Sequence, residues 1–185
     1  MKFSKIKSYA KLNLSLNVIK KIPKKLHAIE SLVTFINFYD LIYVREIKAL
    51  RHKIKFVGKF SKNISKNNTI NNLLNLLDRK KLLKGKKFEI KIIKNIPQKS
   101  GMGGGSMNAS SIAKFFLTRK IINLSKKNIN NILKSVGSDA PLGMNLKNTI
   151  MLKTGKLHVK EKKLGLYTLI VKPNFGCSTK AIYSK

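Results

Sequence analysis

The chain has 185 residues, 43% of them hydrophobic, and carries 40 Lys and Arg against 7 Asp and Glu for a formal net charge of +33. That apolar share can supply a core and excludes wholesale disorder, and the length fits one domain, or one domain and a fragment. A lone cysteine, Cys177, excludes an intrachain disulfide, and no stretch reaches the apolar length of a membrane span, so a cytoplasmic protein with no membrane partner is expected.

Strands are predicted at 3–10 and 12–19, where Leu12 to Ile19 alternates apolar and polar residues and so does not read as a signal-peptide core. A basic loop, Lys20 to His27, is broken by Pro23. Residues 29–38 are apolar and β-branched, Tyr39-Asp40 reads as a turn, and Leu41 to Ile47 resumes alternation. A short strand is expected from Lys53 to Val57. Ile70, Leu73, Leu74, Leu76 and Leu77 form one helical face, and Gly85 breaks the chain before a strand from Phe88 to Ile93. Ala109, Ile112, Ala113, Phe116 and Leu117 mark the next helix. Ser125 is the expected N-cap of another, which buries Ile129, Ile132, Leu133 and Val136 and stops at Gly137. Strands are expected again at 149–152 and 166–171. Runs of strands with helices between them, without strict alternation, indicate an α+β fold.

The lysines are spread along the whole chain among many Asn and Ile residues, as in Lys126 to Ile132. This pattern suits a solvated surface shaped by an AT-rich coding sequence better than a nucleic-acid stripe. No specific nucleic-acid partner is expected, although such a field steers anionic phosphates and gives weak, salt-dependent nucleic-acid binding.

Between the strand at 88–93 and the helix after it lies Gly101-Met102-Gly103-Gly104-Gly105-Ser106. Glycine permits positive φ and close approach of the backbone to a ligand. Successive N–H groups at a helix start make an anion site, and Ser106 adds a hydroxyl. The plain alternative is a flexible loop with no ligand. The turn is neither a P-loop, since no Gly-Lys-Ser or Gly-Lys-Thr occurs, nor a dinucleotide fingerprint, since Ser106 stands at the third glycine position.

Among the seven carboxylates, Asp139 alone sits in a small-residue segment after a glycine break, Gly137-Ser138-Asp139-Ala140-Pro141. It is a candidate for proton transfer, or a turn or helix cap. Lys11, set among alternating apolar residues, is a candidate functional lysine. His52, His158 and Cys177 show no metal-ligand spacing and receive no role.

Pro97 to Ala109 resembles the phosphate-binding motif of the GHMP kinases, of the type P-x-x-x-G-L-G-S-S-A. Ser8 to Leu16 is similar to an opening S-P-A-K-x-N-L-x-L, and Leu26 to Leu32 to G-Y-H-x-L-x-[ST]-L. Asn68-Thr69-Ile70 is similar to D-N-L, and Gly137 to Pro141 to G-A-D-V-P. Val171-Lys172-Pro173 and Ser178-Thr179 follow in the expected order. The resemblance covers essentially the whole chain. It is strongest to the branch that acts on a cytidine-diphosphate-linked methylerythritol in isoprenoid precursor synthesis.

The resemblance implies a mixed sheet with helices packed on it, a fold shared with a ribosomal-protein domain. Residues 1–150 would be the ATP-binding N-terminal domain, and 151–185 closing strands and the start of a truncated C-terminal domain. It implies ATP and Mg²⁺ as cofactors and a tertiary hydroxyl as phosphoryl acceptor. Asp139 would be the base, with Lys11 beside it and the phosphate. Pro97, Lys99, Ser100, Gly101, Met102, Gly103, Gly104, Gly105, Ser106 and Asn108 would surround the phosphates, and Asn68 and Lys94 the adenine. Asn13, Leu26, His27, Phe175, Ser178 and Thr179 would meet the substrate. A monomer or weak homodimer is expected.

Two positions depart from the pattern. Leu26 replaces the aromatic residue before the histidine, which removes a stacking partner for cytosine, and Met107 replaces the second serine of the glycine motif. Family members continue into a further domain. A chain without it is expected to expose core surface, to be poorly stable and to turn over little. Another GHMP-type kinase, for mevalonate or homoserine, and an RNA-binding protein on a related fold remain as alternatives.

Overall fold

The structure, a computed structural model, describes residues 2–22, 26–154, 156–161 and 164–171, with the side chains of residues 20–28 also outside the description. β1 (Ser4–Ile22) and β2 (Leu26–Ile47) form one long antiparallel ribbon. The break expected near residue 11 is absent because the strand passes through irregularities instead. The register shifts at Tyr9/Ala10, Asn13/Ser15 and Val18/Lys20. Such bulges twist a ribbon and re-aim side chains without ending it.

The expected turn at Tyr39-Asp40 is likewise corrected: both residues are inside β2, paired with Tyr9 and Ser8. Asp40 is fully buried, and partners from distant parts of the chain, described below, replace the water a turn aspartate would keep.

β2 is the spine of a six-stranded sheet of order β3-β4-β2-β5-β6, with β1 on the other edge of β2. β4 (Lys87–Ile93) pairs with its C-terminal part, from Leu41↔Ile93 to Ile47↔Lys87. β5 (Thr149–Met151) pairs antiparallel further back, at Ser31 to Val33. The β2 edge between these two partners belongs to neither strand, and the chain leaving β4 fills its end near residue 40. β3 (Lys53–Val57) runs parallel to β4, and α1 (Thr69–Arg79) makes the crossover between them.

Alternation sets the core. Ile42 and Val44 of β2 and Phe88, Ile90 and Ile92 of β4 are all buried on one face. That face is covered by Ile70, Leu73, Leu74 and Leu77 of α1, by Ala109, Ile112, Ala113 and Phe116 of α2 (Gly104–Thr118), and by Ile129, Ile132 and Leu133 of α3 (Lys126–Val136). A one-residue slip of β4 would turn its three large side chains to the other face, so burial pins the register. Ser125 caps α3 as expected, accepting from the Asn128 N–H at 3.3 Å, and Gly137 is its C-cap.

Past residue 151 the expectation of a strand at 166–171 fails. The closing strand is β6 (Leu157–Val159), antiparallel to β5. Residues 166–171 form no strand and expose Leu166, Tyr167, Leu169 and Val171. Apolar patterning makes a strand only where an edge is open to receive its hydrogen bonds, and no described strand pairs with this segment. No helix among the described residues is long and apolar enough to cross a membrane.

His52 has a structural place. Its ring stacks on Phe88 at 6.0 Å between centroids, Nδ1 accepts the Phe88 N–H at 3.0 Å, and Nε2 meets Asp78 at 3.1 Å. Burial pushes its pKa below 6.5, opposed in part by Asp78. The neutral ring is therefore the folded form, whereas the unfolded chain takes up a proton near pH 6.5. Stability is thus full above pH 6.5 and falls as pH drops from there toward the lowered folded value. Urea unfolding at a series of pH values should show this acid-side slope, at most about 1.4 kcal/mol per pH unit from this group. A His52→Gln variant should lose the His52 share of it, and an unchanged slope would remove the assignment.

Candidate active site

The chain leaves β4 at Ile93 and reaches α2 through a turn in which Lys99, Gly101 and Gly103 all have positive φ, at 54°, 73° and 66°. Gly103 is the N-cap of α2 and provides no side-chain cap, so the first N–H groups of the helix stay available to an external acceptor.

The three consecutive glycines each lie against a different element. A Cβ on Gly103 would stand 2.9 Å from Lys11 Cγ of β1. One on Gly104 would meet Ile96 Cγ2 at 3.0 Å and Lys94 Nζ at 3.3 Å, and one on Gly105 would meet Thr69 Oγ1 at 3.2 Å. Thr69 also donates to the Gly105 carbonyl at 2.7 Å, fastening the start of α1 to the turn. The glycine run therefore reflects three close approaches as well as the positive φ at Gly103.

This turn forms one wall of a cavity of about 810 Å³. The facing wall is the segment from Asn63 to Ile70, and Lys94, Asn108 and Asp139 complete the lining. Most residues singled out from sequence meet here: Asn68, Lys94, Pro97, Lys99, Ser100, Gly101, Gly103, Gly104, Gly105, Ser106, Asn108 and Asp139. Met102 is turned away. Its side chain is buried with Ala10 and Ile96, and its carbonyl accepts the Lys11 N–H at 3.1 Å. Asn68 acts as a wall builder, accepting from the N–H groups of Ile70 and Asn71 at 3.1 Å each and donating to the Ser65 carbonyl at 2.8 Å.

At the Asp139 end, the carboxylate makes no capping bond to the short 3-10 helix that follows it, Ala140–Met144. Asp139 Oδ2 is instead 3.1 Å from Lys11 Nζ. Lys11 is buried in β1, and its ammonium also donates to Asn13 Oδ1 at 2.5 Å. Asn13 donates in turn to Ser31 at 2.6 Å, and Ser31 to the Ser15 carbonyl at 2.6 Å. This chain fixes which end of the Asn13 amide faces Lys11. The Asp139 segment is held in place by Ser110 of α2, whose hydroxyl donates to the Ala140 carbonyl. Charge in and beside the cavity is positive by a small margin, with Lys11, Lys94 and Lys99 against Asp139 and the buried Asp40, which pairs with Lys94, and the N-terminus of α2 adds to it.

Leu26 and His27 open β2 opposite Ile22 and Lys21, with their side chains outside the described residues, and Phe175, Ser178 and Thr179 lie outside them altogether. Met107, where the motif has a second serine, is buried against Val33 and Leu142, so this departure enlarges an apolar contact. Sequence reasoning missed Asp40, Ser31, Thr69 and Gln98. Gln98 donates to the carbonyls of Phe60 and Lys62 at 3.1 and 2.6 Å and ties the turn to the facing loop. Ser31 and Thr69 had a signal, standing in the Leu26 to Leu32 segment and in Asn68-Thr69-Ile70.

Residues 68–146, from the cap of α1 to just past the Asp139 segment, match the family described as GHMP kinases N terminal domain. Residues 68–146 carry a GHMP kinase N-terminal domain. The chain is 54% identical, over 98% of its length, to 4-diphosphocytidyl-2-C-methyl-D-erythritol kinase of Pelagibacter ubique (strain HTCC1062), of which it covers 64%. It is 31% identical, over 96% of its length, to the enzyme of the same name from Clostridium botulinum (strain Loch Maree / Type A3), of which it covers 63%. The chain thus spans a little under two thirds of these curated relatives. Among solved structures it resembles a 4-(cytidine 5'-diphospho)-2C-methyl-D-erythritol kinase, with a TM-score of 0.66 at 18% identity over 85% of this chain and 55% of that one. A mevalonate kinase from Staphylococcus aureus MRSA252 gives 0.55 at 13% identity over 87% and 56%. These likenesses establish the GHMP fold.

Proposed function

We propose that this GHMP kinase domain binds ATP with its phosphates at the glycine turn and transfers the γ-phosphoryl group to a tertiary hydroxyl of a cytidine-diphosphate-linked methylerythritol. The observation that carries the reading is the Lys11–Asp139 pair, 3.1 Å apart, whose carboxylate lines the cavity walled by that turn. The substrate comes from the names of the relatives at 54% and 31% identity.

Phosphoryl transfer needs positioning and charge stabilisation more than covalent chemistry. N–H groups of the turn and the α2 terminus hold the phosphate oxygens, with Ser106 beside them. The wall around Asn68 faces the nucleoside, while Lys94, whose Nζ lies 3.3 Å from where a Cβ on Gly104 would stand, faces the phosphates rather than the adenine that the resemblance implied. Asp139 accepts the hydroxyl proton as the oxygen attacks phosphorus. Lys11, held by Asn13, keeps the carboxylate in place and offers positive charge to the transferring group. Asn13 and His27 serve the cytidine side, where Leu26 provides apolar cover in place of an aromatic ring.

Among the described residues no group of three or more His, Cys, Asp or Glu could hold a metal. Mg²⁺ therefore fits as an ion carried by the phosphates, with Ser106 and Asp139 as the cavity oxygens to face it, and it would neutralise phosphate charge. Free nucleotide substrates and a single cysteine suit the cytoplasm.

The test is coupled ADP release with ATP, Mg²⁺ and three acceptors: the cytidine-diphosphate-linked methylerythritol, mevalonate and homoserine. It uses this chain and a longer form extended with the C-terminal part of the Pelagibacter relative. Turnover with the first acceptor alone is expected, and faster in the longer form. Preference for mevalonate or homoserine overturns the substrate. ATP binding without turnover on any acceptor by folded protein overturns the transfer reaction.

A further inference from the structure

Asp40 is a fully buried carboxylate in the middle of a strand, a rare placement unless its partners are built in. It has four of them. Lys94 Nζ donates to Oδ2, the N–H groups of Asn95 and Ile96 donate to Oδ1 at 2.8 Å each, and Asn108 Nδ2 donates to Oδ2 at 3.0 Å. Lys94 and Asn108 are themselves nearly inaccessible, at 5% and 1% exposure, and both line the cavity.

The site exists because of the topology. β4 leaves β2 after the pair Leu41↔Ile93, and the next strand on that edge is β5, at Val33. Asp40 stands just beyond the end of the β4 ladder. Its carboxylate continues that ladder with side-chain oxygens, capturing the two N–H groups the departing chain presents, while Asn95 donates to the Tyr39 carbonyl at 2.9 Å. From Ile96 the chain runs directly into the glycine turn, and Ile96 Cγ2 lies 3.0 Å from where a Cβ on Gly104 would be. The same carboxylate reaches the first turns of α2 through Asn108. Because only the NH₂ end of that amide can face a carboxylate, Asn108 Oδ1 is left without a partner among the described residues, which the Asp40 contact imposes.

We propose that Asp40 is a positioning residue for the nucleotide's phosphates. It locks the approach to the glycine turn, the start of α2 and the Lys94 ammonium to one point, so that the N–H groups of the turn and Lys94 share a fixed geometry. It touches neither nucleotide nor acceptor. The proposal rests on the reading of the turn as a phosphate site, and it deepens that reading by naming the group beneath it.

The expected effect separates phosphate from nucleoside. In Asp40→Asn the Oδ1 position still accepts from Asn95 and Ile96, but an NH₂ group is turned against the Lys94 ammonium and the Asn108 amide, donor against donor, and Lys94 loses its counter-charge. Affinities for ATP and adenosine are read by displacement of a fluorescent ATP analogue from this 185-residue chain. The Asp40→Asn variant should bind ATP about 10-fold more weakly or worse, and adenosine within about twofold of wild type. A purely structural role would weaken both together, and that result overturns the proposal, as does unchanged ATP affinity. Should Asp40→Asn fail to fold, Asn108→Ser decides. It leaves the carboxylate–ammonium pair intact and should give about a threefold loss for ATP with none for adenosine. No selective loss there overturns the proposal. Wild-type chain that binds adenosine and ATP equally defeats the phosphate reading and the Asp40 role with it. Selective ATP binding by wild type with an indifferent Asp40→Asn defeats the Asp40 role alone.

Discussion

Replacing Asp139 by alanine should lower phosphoryl transfer by about 10²–10⁴-fold while leaving ATP affinity within about threefold. The asymmetry follows from where the carboxylate stands. It lines the cavity, pairs with Lys11 at 3.1 Å, and makes no bond to the helix it precedes. Its removal leaves Lys11 held by Asn13 at 2.5 Å and leaves the glycine turn untouched. At φ −86° the backbone suits alanine, and the buried Lys11 ammonium loses its counter-charge but keeps Asn13, at a site open enough for Asp139 to be 26% exposed. The melting temperature should therefore fall modestly, with the chain still folded. Steady-state ADP release gives kcat, and displacement of a fluorescent nucleotide gives affinity. Full activity of the alanine variant would remove Asp139 from the reaction, and a loss confined to ATP affinity would make it a nucleotide contact instead.

The second large effect is expected at Gly103. Alanine there meets two obstacles. A φ of +66° costs an L-residue about 1–2 kcal/mol, and the new Cβ falls 2.9 Å from Lys11 Cγ. That contact is near the root of a buried side chain, so it cannot swing aside as an exposed lysine tip would. Either Lys11 retreats from Asp139 or the first turn of α2 moves away from the phosphates. Gly103→Ala should lose about 100-fold or more in turnover and about 1–3 kcal/mol in stability. Gly101 is the internal control. It shares the positive φ, at +73°, yet its added Cβ meets nothing within 4 Å. Gly101→Ala should show the strain in its unfolding curve with a far smaller loss of turnover. Equal activity losses at the two positions would mean that backbone strain, not contact with Lys11, governs the site.

Much of this site could be read in the chain because its signals are local. The glycine run between a strand pattern and a helix pattern marked the turn that walls the cavity at the start of α2. The small-residue segment after a helix stop singled out Asp139, and Ser125 and Gly137 marked the ends of α3. What the sequence concealed depends on contacts between distant segments. Asp40 next to Tyr39 has the look of a turn, and nothing nearby shows that Lys94 and Asn108, 54 and 68 residues on, will satisfy it. The first strand reads as two because the bulge at Tyr9/Ala10 shifts its alternation without ending its pairing. The apolar residues at 166–171 suggested a strand, but patterning cannot reveal whether an edge is open to pair with them. Asn68 shows both sides of the matter. Its motif position pointed to the nucleotide, while its hydrogen bonds are spent on capping α1 and closing the cavity wall.

The account stands or falls on the glycine turn as the seat of the ATP phosphates, and ¹⁵N–¹H spectra of the chain titrated with ATP and Mg²⁺ test it most directly. The amide signals of Gly101 to Asn108 should shift together and saturate with one affinity, and tripolyphosphate should reproduce the shifts of the turn without those of the nucleoside wall around Asn68. Shifts scattered over lysine-rich surface with the turn unmoved, or equal effects from RNA at low salt that vanish at physiological salt, would contradict it.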